Sequence, residues 1–257
     1  MKFATALLVV AAAGAACTTA ARPNVVTVLG AASLAGALDE AVASYVDIYS
    51  MVSFTVSIGS SAALRTQIEQ GAPADLFLSA DTANPQALFD AGLTDSAPVA
   101  FATNRLTVII PMGNPARIVS VADLGRADVR IISAGDDVPI TKYAEQVVHQ
   151  LGGLDGYPPN FEAAYEANVA SREDNVGAVT SKIALGEGDA AIVYVTDAMA
   201  ADVKTIEIPA EANVMATYSG VVLKAATNVP GARSFFEWLR GPDGQAILAR
   251  HGFSPAP

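Results

Sequence analysis

The sequence predicts an α/β fold built on a largely parallel sheet, and three observations predict it. From Asn24 onward, short β-branched runs alternate with longer segments of helical periodicity, the pattern of βαβ units. The runs are rich in Val, Ile and Leu without strict alternation, as in strands covered by helices on both faces. Of the 257 residues, 52% are apolar and 16% charged. That composition suits a packed core, and the length allows one large domain or two of ordinary size.

Taken in order, residues 25–29 (VVTVL) read as the first strand and 34–49 as the first helix, joined by Ala31, Ala32 and Ser33. The same grammar repeats with strand 53–58 and helix 62–70, joined by the pair Ser60 and Ser61. Gly71 and Pro73 end that helix before a strand at 76–79. A helix at 85–91, a strand at 106–111, a helical turn at 121–124 and a strand at 130–133 follow. Helices are expected at 140–151 and 175–185, then strands at 190–194 and 220–224. Two helices close the chain, 232–239 and 242–251. Gly241 ends the first and Pro242 opens the second, a position that proline's fixed φ suits. Gly252 stands just past the last helix as its expected cap.

The first 23 residues are expected to lie outside the fold. Lys2 precedes an apolar stretch at 3–16 that is too short to span a bilayer, which reads as an export signal. Cys17 is the only cysteine, so no disulfide framework and no cysteine metal site is expected. It follows Gly14-Ala15-Ala16, and this run resembles the lipobox of bacterial lipoproteins, whose cysteine is lipidated after cleavage. Gly14 departs from the leucine usual there. A lipid anchor at Cys17 is therefore expected, a soluble secreted form being the alternative. The net charge of −11 and the absence of any basic run exclude a nucleic-acid footprint. An anion would gain no long-range attraction from such a surface, so an anion site would have to be local.

Two joints supply one. A helix N-terminus carries unsatisfied N–H groups and about half a positive charge. Ser33 stands before the helix expected from Leu34, and Ser61 before the helix expected from Ala62. Their small neighbours would let a ligand reach the backbone. Serine before a helix is also an ordinary N-cap, so these residues alone leave both roles open.

The segments GAASLAGAL, GSSAALRTQIEQGAPADLFLSAD, DNVGAVTSKIALGEGDAAIVYVTDA and EWLRGPDGQAILARHGF resemble the periplasmic molybdate-binding proteins of ABC transporters. The resemblance runs from about Val25 to Phe253 in the family's order. It implies a two-lobed type II periplasmic-binding-protein fold, with two α/β domains of mainly parallel mixed sheets and a ligand cleft between them. The chain would cross between lobes near 100–105 and 216–221. Lobe 1 would then comprise 24–101 plus 219–257, and lobe 2 would comprise 102–218. The implied ligand is molybdate or tungstate, with no cofactor. The implied partner is the membrane permease of an ABC transporter, and the chain is expected to act as a monomer outside the cytoplasm, in the periplasm or on the outer face of the membrane.

Carried over by position, the resemblance implies a site of Ser33, Ser61, Ile140, Asn175 and Tyr194. Ile140 follows Val138-Pro139 and departs from the small residue common there. Asn175 has Val176 as a one-residue alternative. Tyr194 ends an apolar run and could equally be a core residue whose hydroxyl finds a backbone partner.

Other chemistry-bearing residues read more plainly. Asp75 fits a turn after Pro73, Asp81 a helix cap, and Arg65 an i,i+4 pair with Glu69. His149 and His251 fall near helix ends, where a histidine is a favourable end charge. A serine hydrolase would need a nucleophile with a base in reach, and no G-x-S-x-G elbow or H-E-x-x-H motif occurs. The remaining alternative is a binding protein for sulfate or another small anion.

Overall fold

The computed structural model describes residues 24–257. The expected export segment, with Cys17, lies outside the described residues. The chain opens with β1 (Val25–Ala31), a 3-10 turn over Ala32–Leu34, α1 (Ala35–Ile48), β2 (Ser53–Gly59), α2 (Ser61–Glu69), β3 (Leu76–Ser79) and α3 (Ala83–Asp90). A long strand β4 (Val99–Pro111) leads through a 3-10 turn at Val121–Gly125 into β5 (Ile131–Ala134), α4 (Pro139–Gly152) and α5 (Phe161–Ala167). Next come β6 (Val169–Glu173), α6 (Val176–Ala184), β7 (Ala191–Tyr194), α7 (Val195–Met199) and β8 (Val203–Ile206). The return strand β9 (Met215–Val222), then α8 (Val229–Arg240), α9 (Pro242–Arg250) and β10 (Ser254–Pro255) complete the chain.

The sheets are mixed rather than mainly parallel. β1 pairs in parallel with β2 and β3, and β5 with β6. Every pairing that involves β4 or β9 is antiparallel. The expectation of a largely parallel arrangement therefore holds within the βαβ units and fails at these two strands. The reason is topological: a parallel neighbour needs a crossover helix, and β4 and β9 carry the chain between units in one extended run each.

β4 changes partner along its length. Val99 to Arg105 pairs with β9, whereas Leu106 to Pro111 pairs with β7 and β8. The segment AFATN has modest strand propensity and was not expected as strand, yet Phe101 to Asn104 are buried. Pairing on β9 overrides propensity there. Gly220 of β9 allows close packing, since a Cβ would come within 2.7 Å of the Leu78 side chain and 2.8 Å of the Phe236 ring.

Helix ends follow the punctuation read from the sequence. Gly252 has φ +90°, the Gly252 N–H donates to Ala249 O at 3.0 Å and the Phe253 N–H to Leu248 O at 3.0 Å. Those two bonds form a Schellman cap. Gly71 (φ +88°) closes α2 in the same way.

Candidate functional site

The carboxyl ends of β1, β2, β5, β6 and β7 all lead to one small cavity that opens to solvent. Crevices outside the carboxyl ends of strands are where open α/β sheets bind ligands. Ser33, Ser61, Ile140, Asn175 and Tyr194, together with the alternative Val176, all line this cavity. Ala31, Ala32, Gly59, Ser60, Ala80, Val138 and Pro139 complete its walls. No charged side chain is among them, so the electrostatics are set by backbone and hydroxyl dipoles.

Each helix that starts at the cavity has its orphan donors sorted by local chemistry. At α2 the N-cap is Ser60, not Ser61: Ser60 Oγ accepts from the Ala63 N–H at 3.1 Å. The helix begins at Ser61, one residue earlier than expected, and the Ser61 N–H has no intrahelical acceptor. Its Oγ accepts from the Ala80 N–H at 3.0 Å, which leaves the hydroxyl proton for a ligand. The same division recurs at α6. Asn175 Oδ1 accepts from the Ala178 N–H at 3.1 Å, and Val176 offers the first N–H of the helix.

At α4 the first residue is Pro139, which has no N–H. The Thr141 N–H is bonded to Val138 O at 3.0 Å. Ile140 thus carries the first amide proton of that helix left without an intrahelical partner. Its side chain packs in the apolar core at 2% exposure.

Ser33 lies within the 3-10 turn rather than before a helix, and α1 begins two residues later at Ala35. Its Oγ is 2.7 Å from the Tyr218 hydroxyl. Tyr194 ends β7 and is 1% exposed, and its hydroxyl has no hydrogen-bond partner. Tyr194 does pack in the apolar core, but without the backbone partner that the core reading expected for its hydroxyl. Burial raises its pKa well above the ordinary tyrosine value, so the group remains a proton donor.

The tempting charged groups lie elsewhere. Arg65 pairs with Glu69 at 3.7 Å. Asp81 Oδ1 accepts from the Asn84 N–H at 3.0 Å and from Ser79 Oγ at 2.8 Å, a capping role. Asp75 does more than the turn expected of it. Its carboxylate accepts from the N–H groups of Thr27 (2.7 Å), Thr227 (2.6 Å) and Asn228 (2.9 Å), tying β1 to the entry of α8. His149 faces Glu162 and His251 faces Glu40, each near its helix end. Among the described residues no group of three or more His, Cys, Asp or Glu could hold a metal ion. No helix among them is long and apolar enough to cross a membrane.

A family model described as bacterial extracellular solute-binding protein matches residues 26–254. The chain belongs to that family. Members bind and deliver solutes and are not enzymes. The chain is 33% identical over 205 residues to the molybdate-binding protein ModA of Mycobacterium tuberculosis, covering 79% of this chain and 74% of that one. It is 30% identical over 261 residues to the molybdate-binding protein ModA of Haemophilus influenzae, covering 98% and 97%. The solved periplasmic molybdate-binding protein of Azotobacter vinelandii superimposes with a TM-score of 0.77 at 22% identity, covering 90% of this chain and all of that one. The fold is thus the two-lobed α/β fold of periplasmic binding proteins.

Sequence reasoning missed Tyr218 and Ser60. Ser60 was visible as half of a serine pair, and only the register of the helix start decides which serine caps. Tyr218 gave no local signal, because it stands 185 residues from its partner Ser33.

Proposed function

We propose that this chain captures molybdate or tungstate between its lobes and delivers it to the permease of an ABC importer. The observation that carries this reading is the Tyr194 hydroxyl: buried, protonated and without a partner, in the wall of an uncharged cavity ringed by helix starts. An unpartnered buried hydroxyl costs about 1–3 kcal/mol, a cost an oxyanion acceptor would remove. The molybdate-binding relatives support the choice of anion.

The donor set is Ser33, Ser61 and Tyr194 through hydroxyls, and Ile140 with Asn175 or Val176 through backbone N–H groups. Hydrogen bonds to a charged acceptor contribute about 1.5–3 kcal/mol each, whereas micromolar affinity needs only about 8 kcal/mol. The surplus offsets anion desolvation and the ordering of the lobes. A set made only of donors favours a fully deprotonated tetrahedral oxyanion, since a protonated one would turn an O–H toward an N–H. Lobes that close only so far favour the larger group VI anions over sulfate. The lobes are assigned as 24–101 plus 219–257 and 102–218, an assignment supported by the change of partner midway along β4. Cys17 is assigned as the lipid anchor that holds the protein at the outer face of the membrane.

Calorimetry with molybdate, tungstate and sulfate tests the assignment. Nanomolar to micromolar binding of the first two is expected, with sulfate much weaker; equal affinity for sulfate would remove the molybdate assignment. Tyr194→Phe should weaken molybdate about tenfold or more while raising the melting temperature of the free protein, because it deletes a buried unpaired group. A variant that binds as tightly as the parent would show that Tyr194 is not a ligand.

A further inference from the structure

The Ser33 hydroxyl is held by a chain of polar groups that the binding site does not itself include. Tyr218 lies on β9 and is fully buried. Its hydroxyl is 2.7 Å from Ser33 Oγ and 3.5 Å from Asn104 Nδ2. Asn104 lies on β4, 2% exposed, and its Nδ2 also donates to Thr196 Oγ1 at 2.9 Å. An amide nitrogen has two protons, and these two contacts use both. Either hydroxyl can donate in the 2.7 Å Ser33–Tyr218 pair, and the longer 3.5 Å contact from Asn104 Nδ2 favours the arrangement in which Tyr218 Oη accepts from Asn104 and turns its own proton toward Ser33. Ser33 Oγ then accepts, and its proton is free to point into the cavity.

Burial raises the pKa of Tyr218 well above the usual tyrosine value, so the phenol keeps the proton on which this direction depends. The strand geometry holds the chain in place. Ala102 pairs with Tyr218 and Asn104 with Ala216 across β4 and β9. Two residues beyond Asn104, Leu106 pairs with Tyr194 of β7. The polar chain thus sits where β4 passes from one strand partner to the next, between Ser33 on one side and the Tyr194–Thr196 segment on the other.

We infer that Tyr218 and Asn104 are positioning residues: through a one-way donor chain from Asn104 to Tyr218 to Ser33, they hold the Ser33 proton toward the bound oxyanion. This rests on the function proposed above. Neither residue lines the cavity, so each would act only through Ser33. Hydrogen bonds in a chain also polarise one another, which strengthens the last donor.

The test is a pair of double-mutant cycles read by molybdate calorimetry. Tyr218→Phe keeps the ring and removes the hydroxyl. It should weaken binding about tenfold in the parent and in Ser61→Ala, but less than twofold in Ser33→Ala, where nothing remains to be positioned. A structural role for Tyr218 would instead weaken all three backgrounds alike, and that result would overturn the proposal. Asn104→Ala is the second variant, for use if Tyr218→Phe does not fold. It removes the head of the chain without touching either hydroxyl, and it should show the same dependence on Ser33 with a smaller loss. Equal losses with and without Ser33 would again overturn the chain. Failure of the parent protein to bind molybdate or tungstate would remove the functional reading itself, whereas a binding parent with additive cycles removes only the positioning role.

Discussion

At the scale of single residues, the cavity is shaped by what each polar group has already spent. Ser60 and Asn175 cap their own helices, so the amides of Ser61, Ala62, Val176 and Gly177 remain available. Asp197 shows the opposite situation, a carboxyl buried where its charge is disfavoured. It stands in α7 three residues after Tyr194, and one of its oxygens has no partner. Burial raises its pKa from 3.8 to about 7. Between those values the folded state holds more of this proton than the unfolded state, so this group lowers stability as pH rises through that window and has no further effect above it. The loss is on the order of a few kcal/mol. Asp197→Asn should therefore flatten the fall in melting temperature between pH 5 and pH 8 and should melt higher than the parent at pH 8. A parent whose stability does not fall across that range, or a variant with the same slope, would show that Asp197 is not the titrating group.

At the scale of elements, the βαβ units were legible and the crossing strands were not. Val25–Ala31 and Leu76–Ser79 are dense in β-branched and leucine side chains, and the structure places them within two residues of expectation. The first half of β4 carries two Ala and an Asn, and β9 carries Ala216 and Gly220, whose preference for extended backbone is weak. Their strand character comes from pairing with each other across more than a hundred residues, which no local window contains. The same limit explains why the sequence could place the expected residues at one cavity while Tyr218 did not appear among them. Helix starts announce themselves locally, but a hydroxyl delivered by a distant strand does not. Asp75 is a further case, an apparent turn residue that the fold turns into a staple. β3 begins beside it and ends at Ser79, next to Ala80 in the cavity wall, so staple and site lie at opposite ends of one strand. Asp75→Ala leaves three part-buried N–H groups without their acceptor and should lower unfolding free energy by about 2–4 kcal/mol. Chemical denaturation would measure this loss, and molybdate affinity of the folded fraction should stay within about twofold. A much larger drop in affinity would place Asp75 in the site's own support.

At the scale of the whole molecule, the site exists only while both halves of the chain contribute to it. Ser33 and Ser61 come from the first βαβ units, and Ile140, Val176 and Tyr194 come from the units after β4. Ala32 of the first βαβ unit and Gly177 of α6 are neighbours: a Cβ on Gly177 would lie 4.0 Å from the Ala32 methyl, ordinary van der Waals contact. Little further approach is available at this contact between the two donor-bearing segments. An anion that bridges them stabilises the arrangement in which they meet, and it does so only by its greater affinity for that arrangement. The expected motion is hinge closure, with the paired strands β4 and β9 as the flexing connection. Ligand at about 100 times its dissociation constant adds about 2.7 kcal/mol to stability, or a rise in melting temperature of about 5–10 °C for a chain of this size. Molybdate should produce that rise together with a smaller radius of gyration in solution scattering, and sulfate at the same concentration should produce neither. Gly177→Val places a branched side chain against Ala32 and should remove the compaction and most of the thermal shift; its Cβ would also lie 3.2 Å from the capping Asn175 Oδ1, so the shift is read against the variant's own unliganded melting temperature. Compaction by molybdate that survived this wedge would show that closure runs along a different contact.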